Sequence, residues 1–238
     1  MCDSCGDHLI PEADPGGSAT RIRRRTQRWR EAARNRDLLD DFGVLAVNLL
    51  SAPGGGKTAL LEATIPALRE CRIGVVEADR AAGDDAARIR AHGIPAVPVV
   101  TGGASRLDAR MVHAALHGLD LRALDLLFIE NVGNLASPAD LDLGQHRNVV
   151  LLSMTGADEA LTKYRMLFRA ADLVLVTRAD LAPTLDAFSL ARATAALRRI
   201  GCRAPMLTVS AWQGQGFERW LAWLRAERAA RHAAAASG

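Results

Sequence analysis

A glycine-rich run in the first quarter of the chain has the residue types that hold phosphate groups. It reads Ser51-Ala52-Pro53-Gly54-Gly55-Gly56-Lys57-Thr58 and stands between the apolar run Val44–Leu50 and a helical pattern. Glycine lets backbone N–H groups turn toward an anion, and the N-terminus of the following helix adds its positive dipole end. The run fits the Walker A motif from Gly56 onward. We expect nucleotide phosphates to bind here, with Thr58 on Mg²⁺ and further contacts from Gly54, Gly55, Gly56 and Lys57.

Lysine usage singles out the same position. The chain has 30 Lys and Arg residues together, but only two are lysines, Lys57 and Lys163. A tight phosphate site suits a slim ammonium better than a planar guanidinium. The alternative is a glycine-rich turn that carries a lysine by chance, and the strand before and helix after the run argue against it.

Two carboxylates follow apolar runs that should end beside this loop. Asp79 closes Val75-Val76-Glu77-Ala78-Asp79, where it would ligate Mg²⁺ or orient the attacking water. The alternative for Asp79 is a loop or helix-capping aspartate. Glu130-Asn131-Val132-Gly133 has the E-x-x-G form of a G-protein switch element, with Glu130 near Mg²⁺ and the Gly133 N–H facing the γ-phosphate. The candidate catalytic residues are therefore Lys57, Asp79 and Glu130.

Two later segments have the types of residue that read a guanine base. Thr177-Arg178-Ala179-Asp180 resembles the N/T-K-x-D element, and Ser210-Ala211 resembles its S-A companion. An aspartate accepts hydrogen bonds from guanine N1 and N2, which adenine cannot offer. Arg178 replaces the usual lysine and can also stack on a base. The pattern favours GTP over ATP, and the alternative is a plain loop.

Seven short apolar runs alternate with helical patterns and predict the elements that position these residues. The runs are Val44–Leu50, Ile73–Glu77, Ala96–Val100, Leu124–Glu130, Val149–Met154, Leu173–Thr177 and Met206–Ser210. The helical patterns cover Thr58–Arg69, Asp84–His92, Asp108–Leu116, Ala187–Ile200 and Phe217–Arg231. This alternation predicts an α/β fold of the P-loop NTPase type, a mostly parallel seven-stranded sheet covered by helices on both faces. Ligands bind at the carboxyl ends of such strands.

Composition divides the chain into four parts. Residues 1–20 read as a flexible arm, 21–41 as a helix, 42–232 as the nucleotide-binding domain and 233–238 as a tail. The helix should bury a stripe formed by Ile22, Trp29, Ala33, Leu38 and Leu39.

Charge and hydropathy exclude some classes of partner. The net charge of +3 comes largely from the basic run Arg21–Arg36, which lacks interleaved aromatics apart from Trp29 and reads as a solvated helix face. We therefore expect no nucleic-acid partner. No apolar run reaches the length of a membrane span, and no signal peptide is apparent, so we expect a cytoplasmic protein without membrane contact.

The order of these motifs resembles the HypB family of nickel-insertion GTPases in [NiFe]-hydrogenase maturation, within the SIMIBI class. The resemblance covers about residues 42–224, and its most specific string is Glu130-Asn131-Val132-Gly133-Asn134-Leu135. Leu107-Asp108-Ala109, Asp142-Leu143-Gly144 and Lys163-Tyr164 also match. The resemblance implies slow Mg²⁺-dependent GTP hydrolysis and a GTP-dependent homodimer. It also implies two partners, a nickel-handling maturation protein and the apo-hydrogenase large subunit.

The chain departs from this family at its metal ligands. Where the family has a Cys-His pair before Leu-Asp-Ala, this chain has Ser105 and Arg106, and Ser137 replaces a further cysteine. Serine is a poor substitute for a thiolate and arginine cannot ligate, so the interfacial metal site should be absent. Cys2 and Cys5 resemble the family's N-terminal Cys-x-x-Cys-Gly-Cys motif and could bind Ni²⁺ or Zn²⁺. The alternative is an unstructured arm with two free thiols.

Two histidines, two further cysteines and the function itself have alternative interpretations. His113 and His117 are spaced to share a metal on one helix face, but surface histidines are the more common explanation. Cys71 and Cys202 should be packed thiols. A GTP-binding regulator or scaffold without metal handling, and a P-loop small-molecule kinase or ATPase, are the competing functions.

Overall fold

The computed structural model describes residues 15–79, 85–101, 107–131, 142–184 and 190–235. Within them the strands are β1 (Leu45–Ser51), β2 (Ile73–Asp79), β3 (Ala96–Val100), β4 (Leu126–Glu130), β5 (Arg147–Ser153), β6 (Leu173–Thr177) and β7 (Met206–Thr208). The α-helices are α1 (Pro15–Asp41), α2 (Lys57–Ala67), α3 (Asp85–Arg90), α4 (Ala109–Leu116), α5 (Ala157–Lys163), α6 (Arg165–Arg169), α7 (Leu190–Arg199) and α8 (Phe217–Ala235). Two 3₁₀-helices cover Leu121–Ala123 and Ala179–Thr184. Of the helices in these ranges, none is both long enough and apolar enough to cross a membrane.

The strand that leads into the glycine-rich loop lies at the centre of the sheet. The strand order is β3-β2-β4-β1-β5-β6-β7, and every paired strand is parallel. The chain builds one half of the sheet with β2, β3 and β4, and then the other half with β5, β6 and β7. The carboxyl end of β1 therefore lies at the switch between the two halves, where ligands bind in such sheets.

Helices cover both faces of this sheet, as the alternation of buried residues along β1 shows. Leu45, Val47 and Leu49 pack in one cluster with residues of α2 and α8. Ala46 points to the opposite face and packs in a cluster with residues of α1 and α4. A third cluster joins β5 and β6 to α5, α6 and α7. The predicted α/β fold with helices on both faces is confirmed.

Helix α1 differs from its predicted form in its start and in its buried face. It begins at Pro15, whereas the sequence predicted a helix from residue 21. Proline suits the first turn of a helix, because its missing N–H would have no partner there. Among the side chains described in this helix, residues 26–41, the buried ones are Ala32, Asn35 and Leu39, whereas Trp29 is 53% exposed. The predicted stripe through Trp29 is therefore wrong, because contacts around Asn35 decide which face turns inward.

Asn35 joins α1 to α4 and to the loop before β5. Its side-chain nitrogen donates to the carbonyl oxygens of Ala109 at 2.7 Å and Leu143 at 2.9 Å. Gly144 has a φ of +94°, and a Cβ there would lie 2.4 Å from the Cβ of Asn35. This close approach explains why glycine follows Leu143.

The other differences from the sequence prediction lie in short elements and at chain ends. Helices α5 and α6 have seven and five residues, too few to display a helical period, and they were not predicted. Strand β7 ends at Thr208, two residues before its predicted end at Ser210. Helix α8 continues to Ala235, beyond its predicted end at Arg231, which suits an alanine-rich segment of high helix propensity.

Trp220 of α8 fixes the helix that follows the glycine-rich loop. Its side chain is fully buried, and its Nε1–H donates to Thr64 Oγ1 of α2 at 2.9 Å. The Thr64 hydroxyl in turn donates to the Leu60 carbonyl oxygen at 2.6 Å. Because Phe128 of β4 also packs near the indole, with ring centroids 6.5 Å apart, Trp220 ties α2 to the sheet.

We predict that Trp220→Ala lowers the free energy of unfolding by about 3–5 kcal/mol, since it removes a fully buried indole. The matched control is Trp212→Ala, because Trp212 is 90% exposed and its loss should change stability by no more than about 0.5 kcal/mol. Chemical denaturation followed by circular dichroism measures both. Equal losses for the two variants would contradict this assignment.

Candidate functional site

The glycine-rich loop connects β1 directly to α2, which begins at Lys57, one residue before the predicted start at Thr58. Gly54 and Gly56 have φ angles of +71° and +89°, in the left-handed region that favours glycine. At Gly55 an added Cβ would lie 2.6 Å from the Cβ and Oγ of Ser51. The loop thus folds back on itself at the N-terminus of α2, where backbone N–H groups lack intrahelical partners.

Lys57 bends back toward the end of β1. Its Nζ donates to Ser51 Oγ at 3.1 Å, and the Ser51 hydroxyl donates to the Ala52 carbonyl oxygen at 2.6 Å. Burial lowers the pKa of Lys57 from its ordinary value, while the carboxylates of Glu130, Asp85 and Glu77 oppose that shift. The ammonium is therefore placed in the loop among carboxylates.

Glu130 lies at the carboxyl end of β4, next to β1, and reaches the start of α2. Its Oε1 accepts a hydrogen bond from Thr58 Oγ1 at 2.9 Å, although the two residues are 72 positions apart. Glu130 is 6% exposed. Burial raises the pKa of Glu130, while the Lys57 charge and the Thr58 hydrogen bond lower it. The sequence predicted Thr58 and Glu130 to act near one cation, and the fold brings their side chains into contact.

Glu77 is a further buried carboxylate that sequence reasoning missed. It is 3% exposed, and its position on β2 is in register with Glu130 on β4. The sequence signal for Glu77 is that it is the one charged residue in the otherwise apolar run 73–78. The strand pattern alone placed Glu77 at the end of a strand and did not indicate a site. Burying two carboxylates side by side is costly unless cations lie beside them.

The donor set around Glu130 fits Mg²⁺. Oε2 of Glu130 is buried and makes no hydrogen bond to any residue that the structure describes. A carboxylate oxygen beside a threonine hydroxyl is the type of ligand that Mg²⁺ takes, usually with several waters. For Asp79 the structure describes only the backbone, paired with Val100 at the end of β2, so its expected part in this site stays a prediction.

A pocket of about 540 Å³ lies on the other side of the glycine-rich loop. Its lining joins α2, the end of β6 and the segment after β7, and includes Gly56, Ala59, Thr177, Asp180, Ala211 and Trp212. Thr177 Oγ1 donates to the Gly55 carbonyl oxygen at 3.0 Å and so fixes the two loops to each other. The pocket therefore shares a wall with the loop expected to hold phosphates.

The two segments predicted to read a base meet in this pocket. Ser210 Oγ donates to Asp180 Oδ1 at 2.6 Å, and Ser210 is fully buried. The Gln213 N–H donates back to Ser210 Oγ at 3.1 Å, and the Ala179 N–H donates to the Val209 carbonyl oxygen at 3.2 Å. These bonds hold the Asp180 carboxylate in one orientation at the pocket wall.

Among the residues that the structure describes, Arg178 is the one non-glycine residue with a positive φ angle, +61°. Its guanidinium donates to the Gly54 carbonyl oxygen at 3.3 Å and approaches Thr155 Oγ1 at 3.5 Å. The guanidinium thus lies between the glycine-rich loop and Thr155, which follows β5. Arg178 also lines the pocket. Its expected stacking on a base remains a prediction.

Trp212 was not among the predicted site residues. It follows the Ser210-Ala211 pair, lines the pocket and is 90% exposed. The sequence signal for Trp212 is a tryptophan directly after the Ser210-Ala211 pair, because aromatic side chains stack on bases.

Several predicted site residues lie outside the described ranges. These are Cys2, Cys5 and Gly133, together with Ser105, Arg106 and Ser137 at the family's ligand positions. Cys202 is buried and Cys71 is half-buried, as expected of packed thiols. Among the residues described, no cluster of three or more His, Cys, Asp or Glu side chains could hold a metal ion.

The sequence and the fold are similar to those of known proteins. Residues 45–208 match the CobW/HypB/UreG nucleotide-binding domain. The chain is 45% identical over 203 residues to the hydrogenase maturation factor HypB of Azotobacter vinelandii, covering 85% of this chain and 67% of that protein.

Two solved structures show the same likeness. The hydrogenase maturation factor HypB from Archaeoglobus fulgidus superimposes with a TM-score of 0.77 at 37% identity, over 85% of this chain and 99% of that one. HypB from Helicobacter pylori in complex with nickel gives a TM-score of 0.79 at 30% identity, over 85% and 95% of the two chains.

We predict that Thr58→Val destabilises the nucleotide-free protein by about 1.5–3 kcal/mol at neutral pH, the range for hydrogen bonds to charged groups. Because the pKa of Glu130 is raised, its ionisation costs stability; this cost grows as the pH rises from the ordinary value of 4.5 to the folded-state pKa, is complete above it, and is reduced by the Thr58 bond. The difference between variant and parent should therefore shrink as the pH falls through that pKa toward 4.5.

Denaturant unfolding at a series of pH values in Mg²⁺-free buffer measures this effect. Thr162→Val is the control, because the Thr162 hydroxyl is exposed and bonds only to a backbone carbonyl in its own helix. A loss for Thr58→Val that is independent of pH would contradict the charge-dependent role of the bond.

Proposed function

The chain belongs to the CobW/HypB/UreG family of nucleotide-binding proteins, and we propose that it is a GTP-binding and GTP-hydrolysing metallochaperone. It assists nickel insertion during [NiFe]-hydrogenase maturation. One observation carries the nucleotide part: Asp180, oriented by Ser210 at 2.6 Å, lies in a pocket that adjoins the glycine-rich loop. A phosphate-binding loop and a guanine-reading carboxylate thus occupy one site.

Guanine recognition follows from the acceptor capacity of Asp180. A carboxylate offers about four lone-pair positions, and the Ser210 hydroxyl uses one of them. The remaining positions accept the N1–H and N2–H donors of guanine. Adenine presents an unprotonated N1 at that edge, so these acceptor positions of the carboxylate would be left without donors.

Hydrolysis in this site rests on positioning and charge neutralisation. Lys57 and the loop N–H groups bind the phosphates, and Thr58, Glu130 and Asp79 would hold Mg²⁺, which supplies charge to the γ-phosphate and leaving group. Before nucleotide binds, Ser51 keeps the Lys57 ammonium within the loop at 3.1 Å. Glu130 holds the Thr58 hydroxyl at 2.9 Å, so both groups are prepositioned.

The γ-phosphate would also bias a homodimer. Glu130 bonds to Thr58 of α2 and is followed directly by Asn131, so a change at the phosphates would reach the segment that begins at Asn131. We propose a GTP-dependent homodimer that works with a nickel-handling maturation partner and the apo-hydrogenase large subunit.

Nickel is the cargo in this proposal, and Cys2 and Cys5 are the proposed ligands. The relatives are named as hydrogenase maturation factors, and one similar HypB structure is a complex with nickel. Thiolates are ligands suited to such metals.

A second candidate is a GTP-binding regulator that does not handle metal. Ser105, Arg106 and Ser137 stand where the resemblance implies metal ligands, and this replacement favours it. The two candidates share the nucleotide site and differ only in metal binding.

We predict that Asp180→Asn weakens GTP binding by about 100-fold or more and improves binding of xanthosine triphosphate. The asparagine amide donates where guanine also donates, whereas xanthine offers a carbonyl oxygen at that edge. Calorimetric titration in the presence of Mg²⁺ measures both affinities.

Asp158→Asn is the matched control for that substitution, because the Asp158 side chain is 80% exposed in α5. Its GTP affinity should equal that of the parent. Unchanged nucleotide preference in Asp180→Asn would remove the basis for a guanine site.

We predict that the full-length protein binds Ni²⁺ and that Cys2→Ser/Cys5→Ser weakens this binding by about tenfold or more, because serine is a poor replacement for a thiolate. Competition with a metal-binding dye measures the affinity. Cys71→Ser is the control, since that thiol is half-buried and contacts Arg228. Equal affinities for the double variant and the parent would rule out Cys2 and Cys5 as the nickel ligands, and no specific binding to the full-length protein would favour the regulator without metal handling.

A further inference from the structure

Two histidines on the outer side of the molecule face each other across one turn of α4. His113 and His117 approach with their Nε2 atoms 3.4 Å apart, and their ring planes are nearly perpendicular at 88°. His113 is half-buried and His117 is exposed. Neither residue lines the nucleotide pocket, so the pair is separate from the site described above.

The position of the proton on His113 follows from its contact with Asn35. The amide nitrogen of Asn35 donates to the carbonyl oxygens of Ala109 and Leu143, which can only accept. The amide oxygen of Asn35 must therefore face His113, whose Nδ1 lies 2.8 Å away and donates to it. The neutral imidazole with its proton on Nδ1 carries a lone pair on Nε2, which is the atom directed at His117.

This arrangement is the one that metal-binding histidines use. A ligating imidazole almost always donates its other ring N–H to an oxygen, which fixes the tautomer and the ring orientation. Asn35 supplies that oxygen, and Asn35 is itself fully buried and held by two backbone carbonyls. The orientation of His113 is thus set by the core of the protein.

The distance between the two Nε2 atoms also matches a shared cation. Two nitrogens bound to one metal at about 2.0–2.1 Å with a tetrahedral angle lie about 3.3–3.4 Å apart, and the observed separation is 3.4 Å.

The place of the pair on α4 favours positive charge. His117 is the residue that caps the carboxyl end of the helix, where the helix dipole and the last carbonyl groups attract a cation. The exposure of His117 leaves space for water or a second molecule to complete the coordination.

We propose that His113 and His117 form a surface binding site for a divalent transition metal that prefers imidazole ligands, such as Ni²⁺ or Zn²⁺. The metal accepts a lone pair from each Nε2 while each neutral imidazole keeps its one ring proton on Nδ1, and Asn35 acts as the positioning residue. In the described part of the chain these two histidines are the protein ligands, and the remaining positions belong to water. The site goes beyond the proposed function, since it needs neither the nucleotide nor the N-terminal thiols.

The test uses the full chain with Cys2→Ser/Cys5→Ser, so that the N-terminal thiols do not obscure weaker binding. Zn²⁺ and Ni²⁺ are titrated by calorimetry, and zinc binding is followed through the imidazole resonances of ¹⁵N-histidine-labelled protein. We expect about one metal ion per chain at this site, with the resonances of His113 and His117 changing together. Substituting His117→Ala should weaken binding by more than about tenfold, the lower end of what even outer-shell changes cost.

His92→Ala is the matched control, because His92 is exposed in the turn after α3, and it should bind metal as the parent does. His117→Ala leaves the buried contacts of His113 in place, and its melting temperature checks that the fold is retained. His113→Gln provides a second ligand removal with the same expected loss. A metal affinity unchanged by His117→Ala, or zinc-induced resonance shifts confined to other histidines, would overturn the proposal. Neither result depends on whether Cys2 and Cys5 bind metal, because both are replaced in the protein that is tested.

Discussion

The hydrogen bond between Thr58 and Glu130, beside the Lys57 ammonium, is the constraint on which the rest of the site depends. A carboxylate that is only 6% exposed is costly to bury unless it has partners. The fold supplies those partners by placing β1 and β4 side by side, so that the start of α2 meets the end of β4. Trp220 then fixes α2 from its other side through Thr64.

The base side of the site is coupled to the phosphate side through backbone contacts. Thr177 bonds to the Gly55 carbonyl oxygen and Arg178 bonds to that of Gly54. A shift of the glycine-rich loop therefore moves the wall that carries Asp180. This coupling explains how one nucleotide can be recognised at both ends by segments that are more than a hundred residues apart.

The sequence predicted what local patterns encode: the glycine-rich loop, the helix α2 that follows it, and the α/β class of the fold. It also named Asp180 and Ser210, but their 2.6 Å bond depends on β6 and β7 being neighbours, and strand order has no local signature. Glu77 was missed because its partner in register, Glu130, lies on a strand that is adjacent only in space. Trp29 was assigned to the wrong face of α1 because the packing around Asn35, not periodicity alone, turns that helix.

The central claim is that the glycine-rich loop and the Asp180 pocket form one guanine nucleotide site. Displacement of a fluorescent GTP analogue from the full-length protein by unlabelled GTP and by ATP, both with Mg²⁺, tests it most directly. GTP should displace the analogue at least about 100-fold more effectively than ATP, because Asp180 meets donors only on guanine. Equal displacement by ATP would contradict the account and favour a P-loop kinase or ATPase acting on a small molecule.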